Sequence, residues 1–189
     1  MKTFLWGFIL LIIGLDLNGQ TQDINNLTIK NSLYYLQESV YTGTFTSFHK
    51  NGKVKDEGFI NNGKLDSTLT SFDKVGFPLS ICKIKNGKII HQTEYYPHSN
   101  TLRRSISLKD KLEDGLCTEY YPNGKPKESR NYSMGKRIGK QEFWSENGQK
   151  NLEITIHEDS WERSDYIYSA DSVTVKTVFY DKYGRKIKK

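Results

Sequence analysis

Between residues 43 and 186, apolar and polar positions alternate with a period of two, and the alternation itself recurs every 24 residues. In the second half of each 24-residue unit, one parity holds Val54, Pro78, Leu102 and Pro126, then Cys82, Ile106, Ile154 and Val178. It ends in the column Ile60, Ile84, Leu108, Tyr132, Ile156 and Tyr180. The opposite parity carries Lys55, Arg103 and Lys127, followed by mostly polar residues. Successive side chains of a strand point to opposite sides, so one apolar and one polar parity predict half-buried antiparallel strands. Twelve residues before the Ile60 column runs an aromatic one, Phe48, Phe72, Tyr96, Tyr120, Trp144 and Tyr168.

Turn residues mark where these strands end. One column reads Gly52, Gly76, Asn100, Gly124, Gly148 and Ser172, and a second reads Gly63, Gly87, Lys111 and Gly135. Asn-Gly pairs at 51–52, 62–63, 86–87, 123–124 and 147–148 predict type I′ hairpin turns, because both residues tolerate the positive φ such turns need. The turns alternate at 11 and 13 residues, which leaves about eight residues for each strand. The predicted fold is therefore all-β: an antiparallel meander of six stacked β-hairpin units, starting at 43, 67, 91, 115, 139 and 163. Its shape is expected to be an elongated, twisted single sheet rather than a closed barrel.

Units of this size bury no core alone, so the ends of the array need covering. Residues 20–42 are expected to form an N-terminal cap, since Tyr34 and Leu36 fall in the second-strand apolar columns when the period is run backwards. At the other end the phase slips by one residue, to Gly184, and a basic tail over 187–189 follows. Ahead of the cap, Lys2 and the apolar run Phe4 to Leu15, closed by Leu17-Asn18-Gly19, predict an export signal over 1–19. The apolar run falls short of the roughly 20 residues a membrane-spanning helix requires. The mature chain from Gln20 is thus expected outside the cytoplasm, in the periplasm, at the cell surface or secreted, with no transmembrane segment.

Composition agrees with strands and tight turns. Hydrophobic residues make up 35% of the chain and aromatic ones 13%, with 15 glycines and only two methionines. A helical protein would be richer in Ala, Leu and Met, and a disordered one poorer in aromatics. The net charge of +6 is unchanged by removing 1–19, which holds one Lys and one Asp. That balance suits either a solvated surface or an acidic partner.

The unit G-x-x-x-x-Y-Y-x-N-G-K, followed by an apolar-polar strand and a second N-G-K, resembles the variant MORN repeat. Gly115 to Lys125 with Met134-Gly135-Lys136, and Gly43 to Lys53 with Asn62-Gly63-Lys64, carry it most clearly, and Tyr41-Thr42-Gly43 resembles the entry into such arrays. The resemblance extends well over 43–162 and loosely over 163–186, with departures at His98, Asp110-Lys111 and His157-Glu158-Asp159. It implies single-layer hairpin arrays that act as scaffolding or binding modules. It also points to the YwqK-type antitoxin family, and so to an antitoxin or immunity role.

Catalytic signatures are not evident. His49, His91, His98 and His157 occupy different repeat positions without metal-ligand spacing, and no nucleophile elbow or phosphate loop occurs. No enzymatic activity, metal, cofactor or nucleic-acid partner is expected. Cys82 and Cys117 are expected to be unpaired. Two strands of a meander separate them, about 14 Å at roughly 4.8 Å per strand, whereas a disulfide needs Cα atoms within about 7 Å. The aromatic column reads as cross-strand packing, or alternatively as a ladder for sugars. Lys53, Lys55, Arg103, Lys125 and Lys127 are the candidate partner-binding residues, their bland alternative being a charged solvated face. The functional expectation is a non-catalytic exported protein-binding or scaffold module, with a carbohydrate- or surface-polymer-binding protein of the envelope as the rival.

Overall fold

The computed structural model describes residues 21–188, so the expected export signal over 1–19 lies outside the described residues. Its strands are β1 (Gln22–Asp23), β2 (Leu27–Lys30), β3 (Leu33–Leu36), β4 (Ser39–Val40), β5 (Gly43–Phe48), β6 (Val54–Asn61), β7 (Lys64–Phe72), β8 (Pro78–Lys85) and β9 (Lys88–Tyr95). They continue with β10 (Leu102–Lys109), β11 (Leu112–Tyr120), β12 (Pro126–Ser133), β13 (Lys136–Trp144), β14 (Lys150–Ile156), β15 (Ser160–Tyr168), β16 (Val173–Asp181) and β17 (Lys186–Ile187). Fourteen of them form one open sheet in the order β1-β5-β6 and onward in sequence to β17. From β5 every strand pairs antiparallel with its neighbours in the chain, which is the meander the alternation predicts.

Two turn geometries alternate, and this corrects the expectation of type I′ turns at all five Asn-Gly pairs. At 62–63, 86–87, 110–111 and 134–135 both residues have positive φ, as in Asn62 at 47° and Gly63 at 73°, and two-residue type I′ hairpins result. Asp110 at 49° and Lys111 at 70° keep that geometry without any glycine. At the other edge the loops at 49–53, 73–77, 121–125 and 145–149 have three residues and only the glycine is left-handed, as in Gly52 at 82° and Gly124 at 81°. There the His49 N–H donates to the Lys53 carbonyl at 2.8 Å, and the Gly52 N–H donates back to His49 at 2.9 Å. This is a type I turn closed by a bulge. Asn51 and Asn123 use their side chains instead of positive φ, each Oδ1 accepting the N–H two residues on, at 3.2 Å from Lys53 and 3.0 Å from Lys125.

Cross-strand register divides the sheet into two faces. One row runs Phe45, Gly58, Leu69, Cys82, Gln92, Ile106, Cys117, Arg130, Gln141, Ile154, Arg163, Val178. Its first two-thirds, with the neighbouring Ile60, Ile84 and Tyr132, hold most of the buried apolar side chains. Burial in one layer comes from same-face neighbours on adjacent strands. Gly58 is part of that packing: a Cβ there would lie 2.9 Å from the Phe45 ring.

The N-terminal segment leaves the main sheet. β2, β3 and β4 form a separate three-stranded sheet, so Tyr34 and Leu36 do not extend the array's own columns. They pack with Ile24, Leu65 and Leu69 around Leu27, Tyr41, Phe45 and Ile60. Tyr41 is fully buried, its hydroxyl donating to the Thr44 carbonyl at 2.6 Å while its ring lies against Gly43. β1 meanwhile pairs in parallel with β5 at Phe45 and Thr46.

Candidate interaction surface

The three-residue loops along one edge are tied to one another by side chains. From the first loop, His49 Nε2 lies 3.0 Å from the Phe72 carbonyl, Asn51 Nδ2 donates to the Lys74 carbonyl at 2.9 Å, and Lys53 Nζ donates to the Val75 carbonyl at 2.6 Å. From the fourth loop, the Tyr121 hydroxyl donates to Trp144 at 2.8 Å, Asn123 Nδ2 to Glu146 at 2.9 Å and Lys125 Nζ to Asn147 at 2.7 Å. Every donor reaches a carbonyl of the next repeat. Two of the candidate partner-binding residues, Lys53 and Lys125, therefore hold the loops in a stack.

The one-residue insertion at His98 resets the third loop. The Tyr96 N–H bonds to the Thr101 carbonyl, one residue further than in the loops at 49–53, 73–77, 121–125 and 145–149. Tyr95, not Tyr96, then stands opposite the start of the following strand, across from Leu102. The equivalent pairs are Phe48 with Val54, Phe72 with Pro78, Tyr120 with Pro126, Trp144 with Lys150, and Tyr168 with Val173. Tyr96 therefore leaves the predicted aromatic column and takes the role of His49 and Tyr121, its hydroxyl donating to the Tyr120 carbonyl at 2.6 Å. His98 in turn places Nδ1 2.8 Å from Asp73 Oδ2 in the preceding loop. Asp73 Oδ1 accepts three backbone N–H groups, from Val75, Gly76 and Phe77, at 2.7 to 2.9 Å. Burial pushes the Asp73 carboxyl upward, but these donors and His98 outweigh it and hold the pKa at about 2.

Lys55, Arg103 and Lys127 lie at the same strand position in three different repeats, each the extra residue of a bulge. Their carboxylate partners stand on the same face as the apolar row, which corrects the expected placement on the opposite face. Lys55 is paired with Asp56 at 3.7 Å, Arg103 with Glu94, and Lys127 with Glu119 at 3.7 Å. All three remain about half exposed. The polar face carries an unbroken row of its own: Thr46, Glu57, Thr70, Ile81, Thr93, Ser105, Thr118, Ser129, Glu142, Glu153, Ser164, Thr177. Eight of these twelve are Ser or Thr, so most strands offer a hydroxyl on this face, and Lys140 and Lys150 join Glu142 and Glu153 in an ion-pair cluster. Within the aromatic column Trp144 is covered by a cation, Lys150 Nζ sitting 5.8 Å from its ring centroid and 5.6 Å from that of the neighbouring Tyr166.

Register also assembles groups that spacing along the chain conceals. Ser105 Oγ is 3.1 Å from His91 Nε2, and Ser107 Oγ is 3.4 Å from His91 Nδ1. This is hydroxyl-to-imidazole geometry on two adjacent strands. Glu119 and Glu128 face each other across β11 and β12. Burial first, and the Glu119 charge further, raise the Glu128 pKa, against the pull of Arg130. Cys82 and Cys117 are both free and buried, with two strands between them in the apolar row. Among the described residues no group of three or more His, Cys, Asp or Glu is placed to hold a metal ion, and no helix is long and apolar enough to cross a membrane.

The loop stack and the known repeat coincide. A family model described as the MORN repeat variant matches residues 41–62 and 113–134. These two segments are similar to that repeat. They hold the loops at 49–53 and 121–125, whose Asn, Lys and His or Tyr side chains bond to the next loop. In both segments the N-G-K is a stacking device, with Asn and Lys bridging between repeats and Gly allowing the turn. No curated protein matches the chain.

Proposed function

We propose that this MORN-repeat chain is a non-catalytic, exported protein-binding or scaffold module that recognises its partner with the broad surface of the sheet. MORN repeats point to a repeat-based binding module, and the architecture supports it by presenting area rather than an enclosed site. The observation that carries the reading is the side-chain stacking of successive loops, because a stiffened array presents a preorganised surface that loses little freedom on binding. At the bulged starts of three strands Lys55, Arg103 and Lys127 provide half-exposed cations. An antitoxin or immunity role is the specific form we favour, the export signal directing it to a toxin met outside the cytoplasm. The carbohydrate reading has less support, since Tyr96 and Tyr121 spend their hydroxyls on neighbouring carbonyls.

The test is an affinity pull-down from native cell envelope and culture medium with the mature chain from Gln20 as bait. We expect one stoichiometric protein partner whose retention drops when Lys55, Arg103 and Lys127 are changed together to Glu. Retention of glycan polymer instead, lost in Trp144→Ala, would replace this reading with the rival one.

A further inference from the structure

We infer that the outer edge of β16, over residues 173–178, is a docking edge for an extended acidic segment of a partner protein, which adds to the sheet as its next strand. The inference rests on the protein-binding reading and names where and how one partner segment attaches. On its inner side β16 pairs with β15 in nine consecutive registers, from Ser160 with Asp181 to Tyr168 with Val173, without a bulge. On its outer side only Phe179 and Tyr180 pair, with Ile187 and Lys186 of β17. Among the described residues, nothing pairs with 173–178.

Open edges are ordinarily blunted by charged side chains, Lys above all, by proline, a bulge or a covering element. The opposite end of this sheet is covered, with β1 on the edge of β5 and the three-stranded cap packed beside it. Over 173–178 the β16 edge keeps one such device, Lys176, and among the described residues no covering strand. Its sequence Val-Thr-Val-Lys-Thr-Val is rich in β-branched residues, suited to strand pairing, and has neither proline nor glycine. Residues 173–177 are exposed on both faces, Val173 at 52% and Val175 at 49%.

Charge selects the occupant. Over 173–188 the cations are Lys176, Lys182, Arg185, Lys186 and Lys188, against the single carboxylate of Asp181, which Arg185 already engages at 2.6 Å. A second copy would bring two such basic edges together, and like charges across strands are unfavourable. A strand with Asp or Glu on the parity beside Lys176 and β-branched residues on the parity beside Val173 and Val175 complements both faces. Main-chain bonds then give affinity and alternate side chains give selectivity.

The probe is a fluorescent ten-residue peptide of alternating Val and Glu, titrated onto the mature chain, with an alternating Val and Lys peptide and a Val-Glu peptide carrying a central proline as comparisons. We expect the Val-Glu peptide to bind at least tenfold more tightly than either comparison, and to protect the amides of 173–178 from hydrogen exchange. Lys176→Glu, on an exposed strand position, is expected to weaken binding at least fivefold with an unchanged circular dichroism spectrum. Binding that leaves the 173–178 amides unprotected, or equal binding of the Val-Lys peptide, overturns the inference. So does protection of the same amides that grows with protein concentration and no peptide, which assigns the edge to a second copy. Should no peptide bind while the envelope pull-down still yields a partner, edge docking falls and the binding-module reading stands.

Discussion

Lys53 Nζ and the Val75 carbonyl, 2.6 Å apart, belong to loops of successive repeats. A cation bonding to a carbonyl one repeat away makes each loop part of the interface between units, on which the stability of a repeat array depends. Lys53→Met is therefore expected to lower unfolding stability by about 0.5–1 kcal/mol, the net worth of such a bond at an exposed site. Lys50→Met, which makes the same charge change in the same loop, is expected to have a smaller effect. Urea titration of both variants separates the bond from the charge. Equal losses would mean that Lys53 acts through charge alone.

Two left-handed glycines differ in what surrounds them. Gly52 has open space where a Cβ would stand, whereas at Gly63 a Cβ would lie 2.9 Å from Leu33 Cβ and 3.0 Å from Val40 Cγ1. Gly52→Ala should cost only the left-handed penalty of roughly 1–2 kcal/mol. Gly63→Ala should cost clearly more, since it also pushes β3 and β4 away from the array. Thermal unfolding ranks the two, and an equal shift in Tm would show that the cap yields freely.

Cys82 and Cys117 are buried at 6% and 3% exposure. Burial raises both thiol pKa values, and for Cys117 this outweighs the opposing effect of Arg104, whose Nε is 3.4 Å from the sulfur. The thiolate is the reactive form. At neutral pH the folded chain should react with a maleimide on the order of a hundredfold more slowly than the unfolded chain. Mass spectrometry should then find two labels after denaturation. Prompt single labelling of the native chain would place one cysteine in an opening segment.

Much of this fold was readable along the chain because it is periodic. Alternation gave the strands and their buried parity, and the turn columns gave the meander order. Three features escaped, each for a physical reason. Asn51 and Asn62 begin identical Asn-Gly pairs, yet one sits in a three-residue loop and the other in a type I′ turn, since loop length rather than the dipeptide sets which residues need positive φ. Tyr95 and Tyr96 are adjacent aromatics, and only the hydrogen-bonded register shows which of them the insertion at His98 shifts out of the column. The lysines of N-G-K read as free surface charges, because their carbonyl partners lie 22 residues on and carbonyls leave no mark in the sequence.

Asp73 and Glu128 should impose opposite pH dependences on stability. The folded pKa of Asp73, about 2, lies below the ordinary carboxylate value near 3.9. The unfolded chain therefore binds the proton first, and the stability Asp73 contributes is complete above the ordinary value and is lost as pH falls toward about 2. Glu128 is raised, chiefly by burial and further by the Glu119 carboxylate facing it. Here the folded chain binds the proton more tightly, so stability is greatest below the ordinary Glu value and declines as pH rises through the raised one. Urea titrations from pH 3 to pH 8 should show both limbs. Asp73→Asn is expected to flatten the acid limb and leave the neutral one. Glu119→Gln is expected to flatten the neutral limb and to stabilise at pH 7 by about 0.5 kcal/mol, the scale of a cross-strand like-charge pair. An unchanged neutral limb in Glu119→Gln would mean that burial alone raises Glu128.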